Sequence, residues 1–364
     1  MFRTLIKFMI LILSLMLVGC IKRSYTEQNI DGIRFVSNHF ELDKDFKIDL
    51  KKIKEYNIKE IIPDSLMVYS IYDVEMNKDG RIFIMDNNRY CVHMIDKDGN
   101  YIGNFGRKGI GPFEFSSSGE LGLINEKVFV TTSEQLKSFL FDYNGNPVNE
   151  VIHSKFQETP SNFIISNGIV LSFYFGLLFD KPTSTIFQEK YISVFDDNLN
   201  FIKNISEKKI DTSKNKLNYG SNGDQVCYDS KGFYHMSKES FTNYDFEKYN
   251  SDMSKIEVIS KKCKVIPFSK EYIESVKDEL DGVFKSEIKN KQLVKNILVD
   301  KYDRIWVRPA LEDSDKRKNV YDIFENGIFI NQITLNADFD NFEFKDDFVL
   351  GFDNENLTIT VYDY

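Results

Sequence analysis

The chain has 364 residues, 42% of them hydrophobic with 32 Phe and 19 Tyr, and its 56 acids against 47 bases give a net charge of −9. No basic stripe offers itself to phosphates, so nucleic acid is excluded as an expected partner. The four histidines, His39, His93, His153 and His235, lie far apart in sequence, which leaves little material for a histidine metal centre; no metal and no cofactor are expected.

The first element is the apolar run 8–18, preceded by Arg3 and Lys7 and closed by Leu17-Val18-Gly19-Cys20. It is too short for a comfortable membrane span and ends in a small residue before a cysteine, so residues 1–19 read as a cleaved secretion signal. The ending resembles the lipobox of bacterial lipoproteins. That resemblance implies a diacylglycerol on Cys20, acylation of the new amino terminus and a lipidated tether over 20–31; an ordinary signal peptide with a chance cysteine is the other reading. Lipid chains contribute about 0.8 kcal/mol per buried CH2, so two or three of them hold a protein on a membrane. Ile21, not an aspartate, follows the cysteine, and by resemblance to bacterial sorting rules this implies the outer membrane, on its periplasmic or cell-surface side. Losing 1–19 takes the charge from −9 to −11, and once Cys20 is lipidated three cysteines remain, Cys91, Cys227 and Cys263. An odd count forbids a complete disulfide framework; buried free thiols and a Cys91–Cys227 bridge between distant blades both stay open.

From residue 32 onward the chain repeats. Six short apolar runs end in an aromatic or aliphatic residue followed by an acid or amide: Ile95-Asp96, Phe141-Asp142, Phe195-Asp196, Tyr249-Asn250, Phe324-Glu325 and Tyr362-Asp363. Each follows a second strand-like run that opens near a turn, at Asp79-Gly80, Asn125-Glu126, Asn167-Gly168, Lys231-Gly232, Tyr302-Asp303 and Asp346-Asp347. Repeats of roughly 40–50 residues built from short strands are the pattern of propeller blades. The first repeat predicts four antiparallel strands over 71–76, 81–85, 90–95 and 100–105, the first two joined by an Asp-Gly turn of the kind that tolerates positive φ. The expected fold is therefore all-β: a six-bladed propeller of four-stranded antiparallel blades over 32–364. Tyr364 falls just after the third strand of the sixth blade, so an N-terminal strand within 45–53, alternating as Phe46, Ile48 and Leu50, is expected to supply the missing outer strand. One helical insertion is expected near 269–289, where Ser269 can cap and Ile273, Val276 and Leu280 recur at helical spacing, as a stabilising lid or a partner-docking helix.

The residues Ile82-Phe83-Ile84-Met85-Asp86, the run from Val92 to Asp96, and Phe105-Gly106-Arg107-Lys108-Gly109-Ile110-Gly111-Pro112-Phe113-Glu114-Phe115 resemble the six-bladed β-propeller lipoproteins of Bacteroidetes, and are similar to NHL repeats. The resemblance covers the mature chain in outline and implies fold and location rather than chemistry.

In such a ring, loops joining strands two and three, and loops between blades, share one end. Stretches 172–190, 206–225, 263–295 and 308–319 all fall there, and long loops in compact domains tend to be functional. The candidate ligand-binding residues on that end are Asp86, Arg89, Arg107, Lys108, Glu114, Tyr174, Lys238 and Arg308. The glycine-rich loop 106–114 reads either as an anion cradle completed by Arg107 and Lys108 or as a crossing between blades. Asp86 and Arg89 either meet a ligand or pair with each other, and Trp306 belongs to a blade core or a stacking site. No nucleophile elbow, zinc motif or nucleotide loop is present. The leading expectation is a monomeric, non-enzymatic envelope lipoprotein whose propeller face binds a protein, peptide or glycan partner. A hydrolase or lyase acting on glycan or peptide at the central funnel is the alternative, using carboxylates as acid and base. A subunit of an outer-membrane assembly comes third and predicts a large apolar rim patch.

Overall fold

The computed structural model of the protein describes residues 23–364, apart from 133, 154–160, 167–168, 181–184, 212–225, 230–233, 238–242, 251–253, 276–289, 292, 312–318, 338 and 346. Three N-terminal strands come first: β1 (Tyr25–Ile30), β2 (Ile33–Asn38) and β3 (Lys51–Asn57). Blade 1 holds β4 (Ile71–Met76), β5 (Ile82–Asp86), β6 (Cys91–Ile95) and β7 (Tyr101–Phe105), and blade 2 holds β8 (Gly119–Ile124), β9 (Lys127–Thr132), β10 (Lys137–Asp142) and β11 (Pro147–Ile152). Blade 3 comprises β12 (Ser161–Ser166), β13 (Ile169–Asp180), β14 (Thr185–Phe195) and β15 (Phe201–Asp211); blade 4 comprises β16 (Val226–Tyr228), β17 (Tyr234–Ser237), β18 (Asn243–Tyr249) and β19 (Lys255–Lys262). Blade 5 has β20 (Val294–Val299), β21 (Ile305–Pro309), β22 (Val320–Glu325) and β23 (Ile328–Thr334), and blade 6 has β24 (Asn341–Phe344), β25 (Phe348–Asp353) and β26 (Thr358–Asp363). The fold is the expected six-bladed propeller.

The alternation of apolar residues explains the ring. In blade 1, Ile82 and Ile84 face a core shared with Leu350 and Ile359 of blade 6, whereas Phe83 and Met85 face Val128 and Val130 of blade 2. A strand buried on both faces needs apolar residues at every position, and β5 is buried throughout. The acid that follows the third strand in blades 1 to 3 has a structural cause. Asp96 accepts the amides of Asp98 and Asn100 and the Asn100 side chain; Asp142 and Asp196 do the same with Asn144 and Asn146, and with Asn198 and Asn200. The carboxylate closes the turn that a bare backbone would leave with unpaired donors.

Two features depart from the expected plan. An N-terminal strand closes blade 6 as expected, but that strand is β3, which pairs antiparallel with β26 from Thr358↔Asn57 to Asp363↔Lys51 and overlaps the expected 45–53 segment only at 51–53. Phe46, Ile48 and Leu50 instead pack against the core between blades 5 and 6, half-buried and outside any ladder. Their alternation marks burial, not strand pairing. Blade 4 is also not purely four-stranded and antiparallel: the β1–β2 hairpin adds to it through a parallel pairing of β2 with β19, making six strands. Strand β1 thus reaches into the stretch expected as tether. Of the helical insertion, Lys270–Ser275 is helical, and the rest of the expected helix lies outside the described residues.

The N-terminal segment works as a strap. From blade 4 it crosses to blade 5, where Asn38 donates to Gly327 O (3.0 Å) and accepts from Phe329 N (2.8 Å), and Leu42 and Asp43 donate to Phe329 O and Ile330 O; it then closes blade 6 through β3. Because Asn38 is buried and serves the carbonyls of Gly327 and Ser260 and the amide of Phe329, Asn38→Ala removes its side-chain bonds to three backbone groups. The variant is expected to lose about 2 kcal/mol of stability, read as a lower urea midpoint at unchanged slope.

Candidate functional site

The two ends of the ring differ. Connections from first to second strand and from third to fourth strand span only two to five residues in every blade. Connections at the other end run to thirteen residues (106–118), fourteen (212–225), thirty-one (263–293) and ten (310–319). Blade 3 adds to this end as well. Its β13–β14 pairing extends from Val170↔Phe195 to Asp180↔Thr185, and β15 follows β14 as far as Phe187↔Asp211. The stretch expected as an insertion at 172–190 is therefore largely a prolonged hairpin, standing out from the ring as three paired strands.

Strand connectivity puts seven of the eight candidate residues on this end, and Lys238 lies outside the described residues. Five gather on blade 1. Lys108 sits over the Tyr90 ring (4.8 Å), tying loop 106–118 to the loop that carries Arg89. Asp86 and Arg89 do not form a side-chain ion pair: Asp86 accepts the backbone amides of Asn88 and Arg89, and the Arg89 guanidinium donates to Ser65 O. The glycine-rich loop binds its own anion. Arg107 Nε and Gly111 N donate to the Glu114 carboxylate at 2.7 and 2.8 Å, and the Gly111 amide together with Arg107 holds that carboxyl below its ordinary range. Gly106 stands at φ +70 with the Phe115 ring where a Cβ would be, 2.3 Å away, so the crossing between blades requires glycine. Arg308 stands apart on blade 5, donating to Asp340 O. The Tyr174 side chain and Lys238 lie outside the described residues. Trp306 is buried in the core between blades 5 and 6, its indole N–H donated to Asp300 at 2.7 Å. Cys91, Cys227 and Cys263 are not joined by a disulfide, and the bridge between Cys91 and Cys227 is absent.

Sequence reading missed the charges along the axis. The first strand of each blade packs on its neighbours, β4 with β8, β8 with β12, and so on to β20 with β24, so these strands line the centre. Glu120 (β8), Asp73 and Glu75 (β4) and Glu343 (β24) stand there with Lys345, which pairs with Glu75 and Glu343, both at 2.6 Å. Asp73 accepts Leu121 N at 2.8 Å, across to blade 2. Burial raises the Asp73 carboxyl well above its ordinary value, and Glu343 and Glu75 add to the effect. Burial also raises Glu75 to about 7, against the pull of Lys345. Burial works against the Lys345 ammonium in turn, but Glu343 and Glu75 outweigh it and hold its pKa above the ordinary lysine range. The signal for this cluster was present as acids inside otherwise apolar strands, at Asp73, Glu75 and Glu343; only the ring brings them together.

No family model matches the chain, and no curated protein matches it in sequence. Solved structures do resemble it. A Bacteroides fragilis protein assigned as exported shares 12% identity, with 90% of this chain and 98% of that one covered at a TM-score of 0.51. Virginiamycin B lyase of Staphylococcus aureus shares 10% identity (85% and 98% covered, TM-score 0.47), and BamB of Moraxella catarrhalis 9% (80% and 71%, TM-score 0.38). At these identities the likeness is one of fold.

Proposed function

We propose that the protein is a lipid-anchored binding module of the cell envelope, which holds its long-loop end toward a protein, peptide or glycan partner and performs no chemistry of its own. The observation behind this reading is the asymmetry of the ring: the tight-turn end carries no insertion, and the extra chain, including the three-stranded extension of blade 3, is placed at the other end. Loops held by a rigid scaffold are the usual seat of recognition. On blade 1 that end presents Arg89 and Lys108, while Arg107 is neutralised by Glu114, on a chain that is acidic overall. Anchorage follows from Cys20, and the resemblance in the leader supports the outer membrane.

One observation favours a second reading, a hydrolase or lyase at the central funnel: the axial carboxylates Asp73 and Glu75 hold protons at unusually high pH, as a general acid must. Against it, Lys345 already satisfies Glu75 and Glu343, at the tight-turn end of β4 and β24.

Cys20→Ser is expected to move the protein from the membrane fraction to the soluble one and to abolish fatty-acid labelling. Crosslinking of the anchored protein in whole cells should then recover one stoichiometric partner. A chain that stays membrane-bound as Cys20→Ser refutes the anchor. Recovery of the protein alone, with Asp73→Asn abolishing turnover of an envelope glycan, would favour the enzyme.

A further inference from the structure

Inside blade 1, under the loop that joins β5 to β6, three donor groups converge. Cys91 and His93 lie two residues apart on β6, so they share a face, and Asp86 is the register partner of Cys91 on β5. His93 Nε2 stands 3.3 Å from Asp86 Oδ2 and 3.6 Å from Cys91 Sγ, and all three residues are buried. A single ring nitrogen here faces a carboxylate and a sulfur together. One N–H can be directed at only one of them, and 3.3 Å is long for a charge-assisted hydrogen bond, which closes to about 2.7–2.9 Å. The spacing fits another arrangement. With metal distances of about 2.0–2.1 Å to nitrogen, 2.0–2.2 Å to oxygen and 2.3 Å to sulfur, the nitrogen–oxygen and nitrogen–sulfur edges of a tetrahedron come to about 3.3 and 3.5 Å.

We propose that Asp86 Oδ2, Cys91 Sγ and His93 Nε2 supply three ligands of a buried site for a divalent metal ion of the zinc class. The surroundings suit it. His93 Nδ1 meets the Tyr101 hydroxyl at 3.2 Å, the outer contact that fixes the tautomer of a metal-bound imidazole, while Asp86 Oδ1 is held by the amides of Asn88 and Arg89, leaving Oδ2 for the ion. On binding, the Cys91 thiol gives its proton to solvent, and thiolate, carboxylate and dication sum to zero, which answers the cost of burying charge. Thiolate with imidazole selects zinc over magnesium or calcium. The fold does not itself demand this trio. The register-equivalent residues are Asp353, Thr358 and Thr360 in blade 6 and Thr132, Lys137 and Phe139 in blade 2, so blade 6 keeps the aspartate but neither blade keeps the thiol or the imidazole. The expectation of no metal rests on the wide spacing of the histidines; here a single histidine is completed across a hairpin.

The test is elemental analysis of the full-length protein, purified in mild detergent from zinc-supplemented cells, with cobalt(II) as a spectroscopic replacement. The expected result is about one zinc per chain and a thiolate-to-cobalt charge-transfer band that Cys91→Ser abolishes. Tyr101→Phe, which leaves the three donors in place, should weaken cobalt affinity about 10–100-fold with an unchanged circular dichroism spectrum. A native protein with neither zinc nor a cobalt band overturns the proposal, as does a band that persists in Cys91→Ser.

Discussion

A chain that starts after Asn57 will not form a closed monomeric ring. Strand β3 supplies the outer edge of blade 6, paired with β26 over the span Lys51–Asn57. Without it β26 presents a row of unpaired amides and carbonyls, and an open edge of this kind invites pairing with another chain. The loss goes beyond the ladder. Tyr56 is buried in the core between blades 6 and 1 and its hydroxyl donates to Lys97 O at 2.8 Å, so the same deletion uncovers Ile359 and Val361. The strap across blades 4 and 5 leaves with it. The truncated chain is expected to elute as aggregate and to show no cooperative thermal transition, whereas a monomer melting near the full-length temperature would mean that closure is dispensable.

Lys345→Ala is expected to be the most damaging single substitution, and its cost should grow with pH. Lys345 is the one cation that faces Glu75 and Glu343 among the described contacts of the axial cluster. Removing one partner of a buried pair leaves uncompensated charge, worth about 3–5 kcal/mol. The sign of the pH dependence follows from Glu75. Its carboxyl is raised from 4.5 to about 7 in the folded protein, so between those values the folded state holds a proton that the unfolded state has released. Its contribution to stability is therefore fully present below about pH 4.5 and lost as pH rises through 7. Asp73 acts in the same direction. Without Lys345 the Glu75 carboxyl is pushed higher, and the deficit against wild type should be larger at pH 8 than at pH 5. Urea midpoints at the two pH values measure it; a deficit that shrinks at pH 8 contradicts the axial account. Glu75→Gln should flatten the wild-type slope across the same window.

The fold was legible because each blade repeats two local necessities. An apolar run is buried on both faces, as in Ile82 to Met85, and in blades 1 to 3 a carboxylate, Asp96, Asp142 or Asp196, closes the turn after the third strand. The edges were much less legible. Strand β3 reads Lys-Lys-Ile-Lys-Glu-Tyr-Asn, with Ile53 largely exposed, because an outermost strand needs backbone partners more than an apolar face. The neighbouring Phe46, Ile48 and Leu50 carry the stronger pattern but only cover a core. Strand β1 is exposed along most of its length and offers no period at all. For the candidate site, the loop-rich end could be inferred from spacing alone, since connection order fixes which loops share an end. The axial cluster could not: Glu75 and Lys345 meet across 270 positions of sequence, and only closure of the ring makes them neighbours. Glu114 carries a related lesson, for the anion that the glycine-rich loop seemed built to receive is supplied by the loop itself.

The claim that this ring is a binding module with one working end is tested most directly by site-specific photo-crosslinking in whole cells. A crosslinking residue would be placed at Arg89 or Lys108, exposed on the long-loop end, and at Lys97 or Glu126, exposed on the tight-turn end. The account predicts one discrete adduct from Arg89 and Lys108 and none from Lys97 and Glu126. Adducts confined to the tight-turn end, or none from either end, would contradict it.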